Sequence, residues 1–164
     1  MHDLLPDLFD EFSEHLQLLA ADWRQFGGKR IFYGEVVTVS CFEDNSRVKE
    51  ILATAGHGKV LVVDGGGSRR KALLGDLIAK SAVDNGWAGV IIQGAVRDAG
   101  TLATLPLGVQ ALFAVPIKTE RRGLGDAGVT ISIAGVTVNP GDWIYADDNG
   151  IAISHDALPI IEQD

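Results

Sequence analysis

The sequence predicts one α/β domain over residues 1–164, in which strand–helix–strand units precede a C-terminal β meander. Two observations carry that reading. Three short stretches, "KVLVVD" (59–64), "AGVIIQG" (88–94) and "VQALFAVPI" (109–117), are nearly continuous apolar runs, as expected of strands buried on both faces. The tail "VTISIAGVTVNPGDWIYADDNGIAIS" (129–154) alternates instead. It is broken at Ala134-Gly135, Pro140-Gly141-Asp142 and Asp148-Asn149-Gly150, residues that favour turns between short antiparallel strands.

The elements follow in order. Apolar residues at Leu4, Leu5, Leu8, Phe12, Leu16 and Leu19 recur close to helical spacing and predict a helix within 3–22, with Pro6 suited to its first turn. "IFYGEVVTVS" (31–40), rich in β-branched and aromatic residues, predicts a strand. "SRVKEILATA" predicts a short helix ended by Gly56, and "KALLGDLIAKSAVDN" (71–85) a longer one.

Composition bounds the function. A net charge of −8 argues against direct nucleic-acid binding, which needs a basic surface. No apolar run approaches the length that spans a bilayer, and the N-terminus carries acids where a secretory signal carries Lys or Arg. The lone Cys41 excludes an internal disulfide. The expectation is a cytoplasmic protein.

Several motifs bear on chemistry. The run Gly65-Gly66-Gly67 does not suit a dinucleotide, because Arg70 stands where the third glycine of G-x-G-x-x-G belongs. Nor does a Gly-Lys-Ser/Thr phosphate loop follow. It reads either as a strand-to-helix turn with positive φ or as backbone N–H groups lining an anion pocket. His2, His15, His57 and His155 show no zinc-binding spacing. Cys41 and Ser68 lack an activating context. "KTERRGLGD" (118–126) reads as a solvated loop, or as a contact to an anionic ligand or neighbouring subunit. Asp76 and the adjacent Arg97–Asp98 are separated by twenty residues. Packed back on the sheet, they would bring two carboxylates together for a hard cation such as Mg²⁺ or Mn²⁺, with an arginine beside them for an anion. The alternative is a surface ion pair.

Three stretches, "VLVVDGGGSRRKALLGDLIAKSAV", "GVIIQGAVRD" and "VTVNPGDWIYADDNGIAIS", together resemble the RraA-like family, and "VSCFEDN" adds to the likeness. That family includes the regulator of ribonuclease E activity and the class II 4-hydroxy-4-methyl-2-oxoglutarate aldolases. The resemblance implies a three-layer β/β/α swivelling-type domain and a homotrimer with active sites between subunits. In the aldolase branch an acid, twenty residues and Arg–Asp recur. By that match Asp98 is a metal ligand, Asp76 holds the metal's water shell, and Arg97 contacts the pyruvyl part of a small 2-oxo acid. Backbone N–H groups across Gly75, Asp76, Leu77 and Ile78 would receive the substrate carboxylate. The implied activity is divalent-metal-dependent cleavage of 4-hydroxy-4-methyl-2-oxoglutarate to pyruvate, with oxaloacetate decarboxylation beside it. The chain's length and its "FEDN" and "GGGSRR" segments resemble the regulator branch instead, which implies a non-catalytic trimer that inhibits an endoribonuclease partner.

Overall fold

The computed structural model describes residues 1–160. It is built on one large sheet with helices against one face and a β hairpin against the other, the three layers that the resemblance implied. In chain order the elements are α1 (Leu5–Phe12), β1 (Gln17–Leu18), β2 (Arg24–Gln25), β3 (Phe32–Ser40), α2 (Ser46–Leu52), β4 (Lys59–Asp64), β5 (Ala72–Leu74) and α3 (Asp76–Asp84). Then come β6 (Gly89–Val96), α4 (Ala99–Leu102), β7 (Gly108–Ala114), β8 (Asp126–Ala127), β9 (Ile131–Ile133), β10 (Val136–Val138), β11 (Trp143–Asp147) and β12 (Gly150–Ser154).

The sheet runs β1-β12-β11-β3-β4-β6-β7-β2, with β5 added to β6 and β8 to β3. Its centre, β3-β4-β6-β7, is parallel. Alternation along β4 shows why its run is apolar throughout. Leu61 and Val63 pack on the helix side with Val48 and Leu52 of α2. Val60 and Val62 face Ile131, Ile133 and Val138 of the β9–β10 hairpin. Both faces are covered, and burying each such side chain contributes roughly 1.5–3 kcal/mol. A third cluster, with Leu4 and with Leu5 and Leu8 of α1 against Tyr145 and Ala152, closes the β11–β12 end.

Three expectations need correction. The N-terminal helix stops at Phe12, and a single 3₁₀ turn over Ser13–His15 leads into extended chain. Leu16 and Leu19 are still buried, but from extended backbone, so their helical spacing is incidental. The segment 71–85 is not one helix. Ala72–Leu74 form β5, paired with β6, and the helix begins only at Asp76. The three glycines therefore join strand to strand. The meander is two hairpins in different layers: β9–β10 forms its own two-stranded sheet, and β11–β12 belongs to the main one. Pro140-Gly141-Asp142 is the crossover between them. Asp142 holds it by accepting the Asn139 N–H through Oδ2 at 2.8 Å and the Val36 N–H through its carbonyl at 2.7 Å. Among the described residues no helix is long and apolar enough to cross a membrane.

Candidate active site

β5 and β6 run parallel with Leu74 opposite Val96, so the residues that follow the two strands emerge side by side. The Arg97 N–H donates to the Leu74 carbonyl at 2.9 Å and extends the pairing one step. Beyond it, the Asp76 N–H donates to Asp98 Oδ2 at 2.9 Å. The twenty intervening residues thus return the chain to its start, as the spacing predicted.

Gly75 is the point of closest approach. A Cβ there would sit 2.8 Å from Asp98 Oδ2 and 3.2 Å from Arg97 Nε. Its φ of −129° is open to any residue, so the demand is for space. Asp98 itself adopts φ 59°, in the left-handed region, where Asp and Asn are the tolerated non-glycine residues. That turn swings its carboxylate back toward α3. Arg97 Nε lies 3.9 Å from Asp98 Oδ2, and Lys80 Nζ lies 3.6 Å from Asp76 Oδ2 one helical turn on. All three site side chains are about one-third exposed, at 34%, 35% and 38% for Asp76, Asp98 and Arg97, which leaves them open to a ligand.

Gly75, Asp76, Leu77, Ile78 and Arg97 line a cleft of about 260 Å³, shared with Asn45, Ala72 and residues 118–121. Asp98 borders an adjoining recess with Arg97, Ala99 and residues 114–116, so Arg97 stands between the two. The predicted carboxylate seat needs one change. The Asp76 N–H is already spent on Asp98, which leaves the Leu77 and Ile78 N–H groups of the first helical turn without an intrahelical acceptor. The side chain of Ile78 is buried in the core at 6% exposure, while Leu77 stands out at 76%.

The donor set suits one kind of metal. Asp76 and Asp98 offer hard carboxylate oxygens, and among the described residues no group of three or more His, Cys, Asp or Glu gathers to hold an ion. An ion held here would keep most of its shell as water, the habit of Mg²⁺. Asp98, tethered by the Asp76 N–H, and the partly exposed Asp76 carboxylate fit such an ion in donor type.

Other candidates fall away. The glycine run has Gly66 and Gly67 at positive φ. Its N–H groups are used internally, by Gln93 O for Gly65 and Gly67 and by Asp64 Oδ1 for Gly66; it is a turn and not an anion cradle. Burial pushes the Cys41 thiol up to about 12, with Asp44 and Asp64 adding to the effect. The Ser68 hydroxyl donates to Glu43 Oε2 at 2.6 Å. His57 is exposed, as expected.

The sequence offered residues 118–126 as a contact to an anionic ligand, and residues 118–121 line the far side of the cleft; the polar bracket that holds them there was not foreseen. In the 118–126 loop, Thr119 is buried at 6% exposure and its hydroxyl donates to Asn45 Oδ1 at 2.7 Å. Arg121 Nε donates to the same oxygen at 3.0 Å. Beside it, Asp44 accepts the Ser46 hydroxyl and the N–H groups of Ser46, Arg122 and Leu124. The available signal was the pair Asp44-Asn45 directly before a helix, where short polar side chains organise backbone.

Known proteins agree with this architecture. The family model for RraA-like proteins (Aldolase/RraA) matches residues 4–153. A protein of Shewanella oneidensis named "Putative 4-hydroxy-4-methyl-2-oxoglutarate aldolase" is 63% identical over 96% of this chain and 96% of its own. The RNA-processing inhibitor RraA from Thermus thermophilis superposes with a TM-score of 0.92 at 41% identity, covering 97% of this chain and 96% of that one. A Geobacillus kaustophilus structure named as an S-adenosylmethionine:2-dimethylmenaquinone methyltransferase reaches 0.93 at 43% identity, covering 95% and 97%. With a family model spanning nearly its whole length and relatives this close, the chain belongs to the RraA-like (Aldolase/RraA) family.

Proposed function

We propose that this chain is a divalent-metal-dependent lyase that cleaves 4-hydroxy-4-methyl-2-oxoglutarate to pyruvate and also decarboxylates oxaloacetate. The observation that carries the reading is the tie between the Asp76 N–H and Asp98 Oδ2, with Arg97 next to both. The aldolase names of relatives at 63% and 55% identity support it.

In this reading Asp98 would be the ligand of Mg²⁺ or Mn²⁺ and Asp76 would hold the ion's water shell. The ion, when bound, draws electron density from the substrate's 2-oxo group. The Arg97 guanidinium engages the pyruvyl end by charge-assisted hydrogen bonds, and the Leu77 and Ile78 N–H groups receive its carboxylate. In the aldol case the 4-hydroxyl gives up its proton and the C3–C4 bond breaks. The electron pair passes to C3, giving pyruvate and the enolate of a second pyruvate. Water takes the hydroxyl proton and returns one to C3, so that two pyruvates leave. Oxaloacetate yields the same enolate by losing CO₂. Arg97 stabilises the oxygen on which the charge develops. The active unit is a cytoplasmic homotrimer with sites between subunits. The exposure of Leu77 at the cleft (76%) and of Ile117 next to it (51%) favours a neighbouring chain that covers them.

A second reading is supported by the likeness to RraA: a trimer that inhibits an endoribonuclease by protein contact. One experiment separates them. Pyruvate release from both substrates is measured with Mg²⁺, with Mn²⁺ and with excess chelator, beside Asp98→Ala and Arg97→Ala. The lyase requires release that needs metal and both residues, with the trimer intact in each variant. Release no faster than with free metal alone turns the reading to the inhibitor.

A further inference from the structure

Arg121 lies in the loop after β7 and lines the same cleft as Arg97. It is fixed from beneath. Asn45 Oδ1 accepts from both Arg121 Nε and the Thr119 hydroxyl, and Asn45 Nδ2 donates to the Leu73 carbonyl of β5 at 3.2 Å. Asn45 and Thr119 are 5% and 6% exposed, so an exposed cation is held by a buried polar bracket. That bracket is anchored on β5, the strand that leads into Gly75. Arg70, Arg97 and Arg122 each face a carboxylate. Among the described residues, Arg121 pairs with none and spends only its Nε–H inside the protein.

A guanidinium preorganised in this way presents its terminal N–H groups as a fork that matches a carboxylate. The cleft then has two such receptors, Arg97 beside the metal-binding acids and Arg121 across the Asn45 bracket. Resting on the lyase reading of the site, we propose that Arg121 receives the distal carboxylate of the substrate and makes the enzyme selective for dicarboxylic over monocarboxylic 2-oxo acids. Lys118 lines the cleft as well, but no hydrogen bond from its side chain to the described residues fixes it, so it contributes field without geometry.

The two reactions respond differently. In aldol cleavage the distal carboxylate keeps its charge throughout, so Arg121 holds substrate and transition state alike. In decarboxylation that carboxylate loses its charge as CO₂ departs, and a tight grip favours the ground state. Removing Arg121 therefore raises KM for both dicarboxylates and does not lower kcat for oxaloacetate.

The test is steady-state pyruvate release by the full chain with Mg²⁺, comparing 4-hydroxy-4-methyl-2-oxoglutarate with the monocarboxylate 4-hydroxy-2-oxopentanoate. Arg121→Gln should lower kcat/KM for the dicarboxylate roughly tenfold more than for the monocarboxylate, the loss of a charged hydrogen-bond pair. Equal losses on the two substrates, or no loss, would overturn the proposal. So would the same selective loss in Lys118→Gln, since charge alone would then suffice. A wild-type protein that releases pyruvate from neither substrate defeats the lyase reading, and this inference with it. A selective wild type whose Arg121→Gln variant is equally selective defeats only the inference.

Discussion

The backbone N–H of Asp76 donates to the carboxylate of Asp98 at 2.9 Å, across 22 residues of chain. The bond orients Asp98 and ties the first residue of α3 to the end of β6. It also leaves Asp98 with one oxygen for a ligand. Asn at position 98 keeps the left-handed conformation and an amide oxygen for the Asp76 N–H while removing the charge. Asp98→Asn should therefore fold and melt like wild type yet lose at least roughly a hundredfold in metal-dependent pyruvate release, the scale of losing a group that supports charge development. Melting curves with and without Mg²⁺ provide a second reading: the metal raises the wild-type midpoint and leaves the variant's unchanged.

Gly75 tests the same geometry from the other side. Its backbone accepts alanine, but the added Cβ would stand 2.8 Å from Asp98 Oδ2. Gly75→Ala should push Asp98 and Arg97 away from the cleft and lower kcat/KM strongly, with only a small change in melting temperature because the crowded groups are surface side chains. A variant with wild-type kinetics would mean that the Asp98 position carries no catalytic weight.

Much of this was legible beforehand, and the failures have physical causes. Alternation and apolar runs identified β3, β4, β6 and β7, since burial on both faces leaves an unmistakable composition. β5 was lost because Ala72-Leu73-Leu74 suits a helix as well as a strand; only pairing with β6 decides it. The site was readable as far as the interval between Asp76 and Arg97–Asp98. The register that sets Leu74 opposite Val96 is a tertiary fact, and the interval alone does not contain it. The Asn45–Thr119–Arg121 bracket joins residues 74 and 76 positions apart; the local Asp44-Asn45 pair marks one end of it and does not name the other.

Cys41 provides a negative prediction. Burial first, then Asp44 and Asp64, push its thiol up to about 12, so thiolate is scarce at neutral pH and alkylation needs it. Iodoacetamide at pH 7.5 should leave the native protein unmodified by mass and fully active, and Cys41→Ser should retain turnover. Rapid labelling of native protein would contradict the burial of Cys41 directly after β3.

Asp44 ties the loop bearing Arg121 to the start of α2, and its electrostatics make that tie depend on pH. Burial by itself disfavours the carboxylate, but the Ser46 hydroxyl and the N–H groups of Ser46, Arg122 and Leu124 outweigh it and hold the group down at about 2. In the unfolded chain an aspartate titrates near 3.9. A folded value below the unfolded one means that the charged form favours the native state. The contribution is complete above about pH 4 and fades as pH falls toward 2. Asp44→Asn places an amide NH₂ among these donors and should cost on the order of 2 kcal/mol near neutrality. Denaturant melts of wild type and variant at a series of pH values provide the check. The gap between the two should be constant from neutrality down to about pH 4 and close between pH 4 and pH 2 as the wild-type carboxylate also takes up its proton. A gap that stays constant down to pH 2 would show that shape, not charge, makes Asp44 matter.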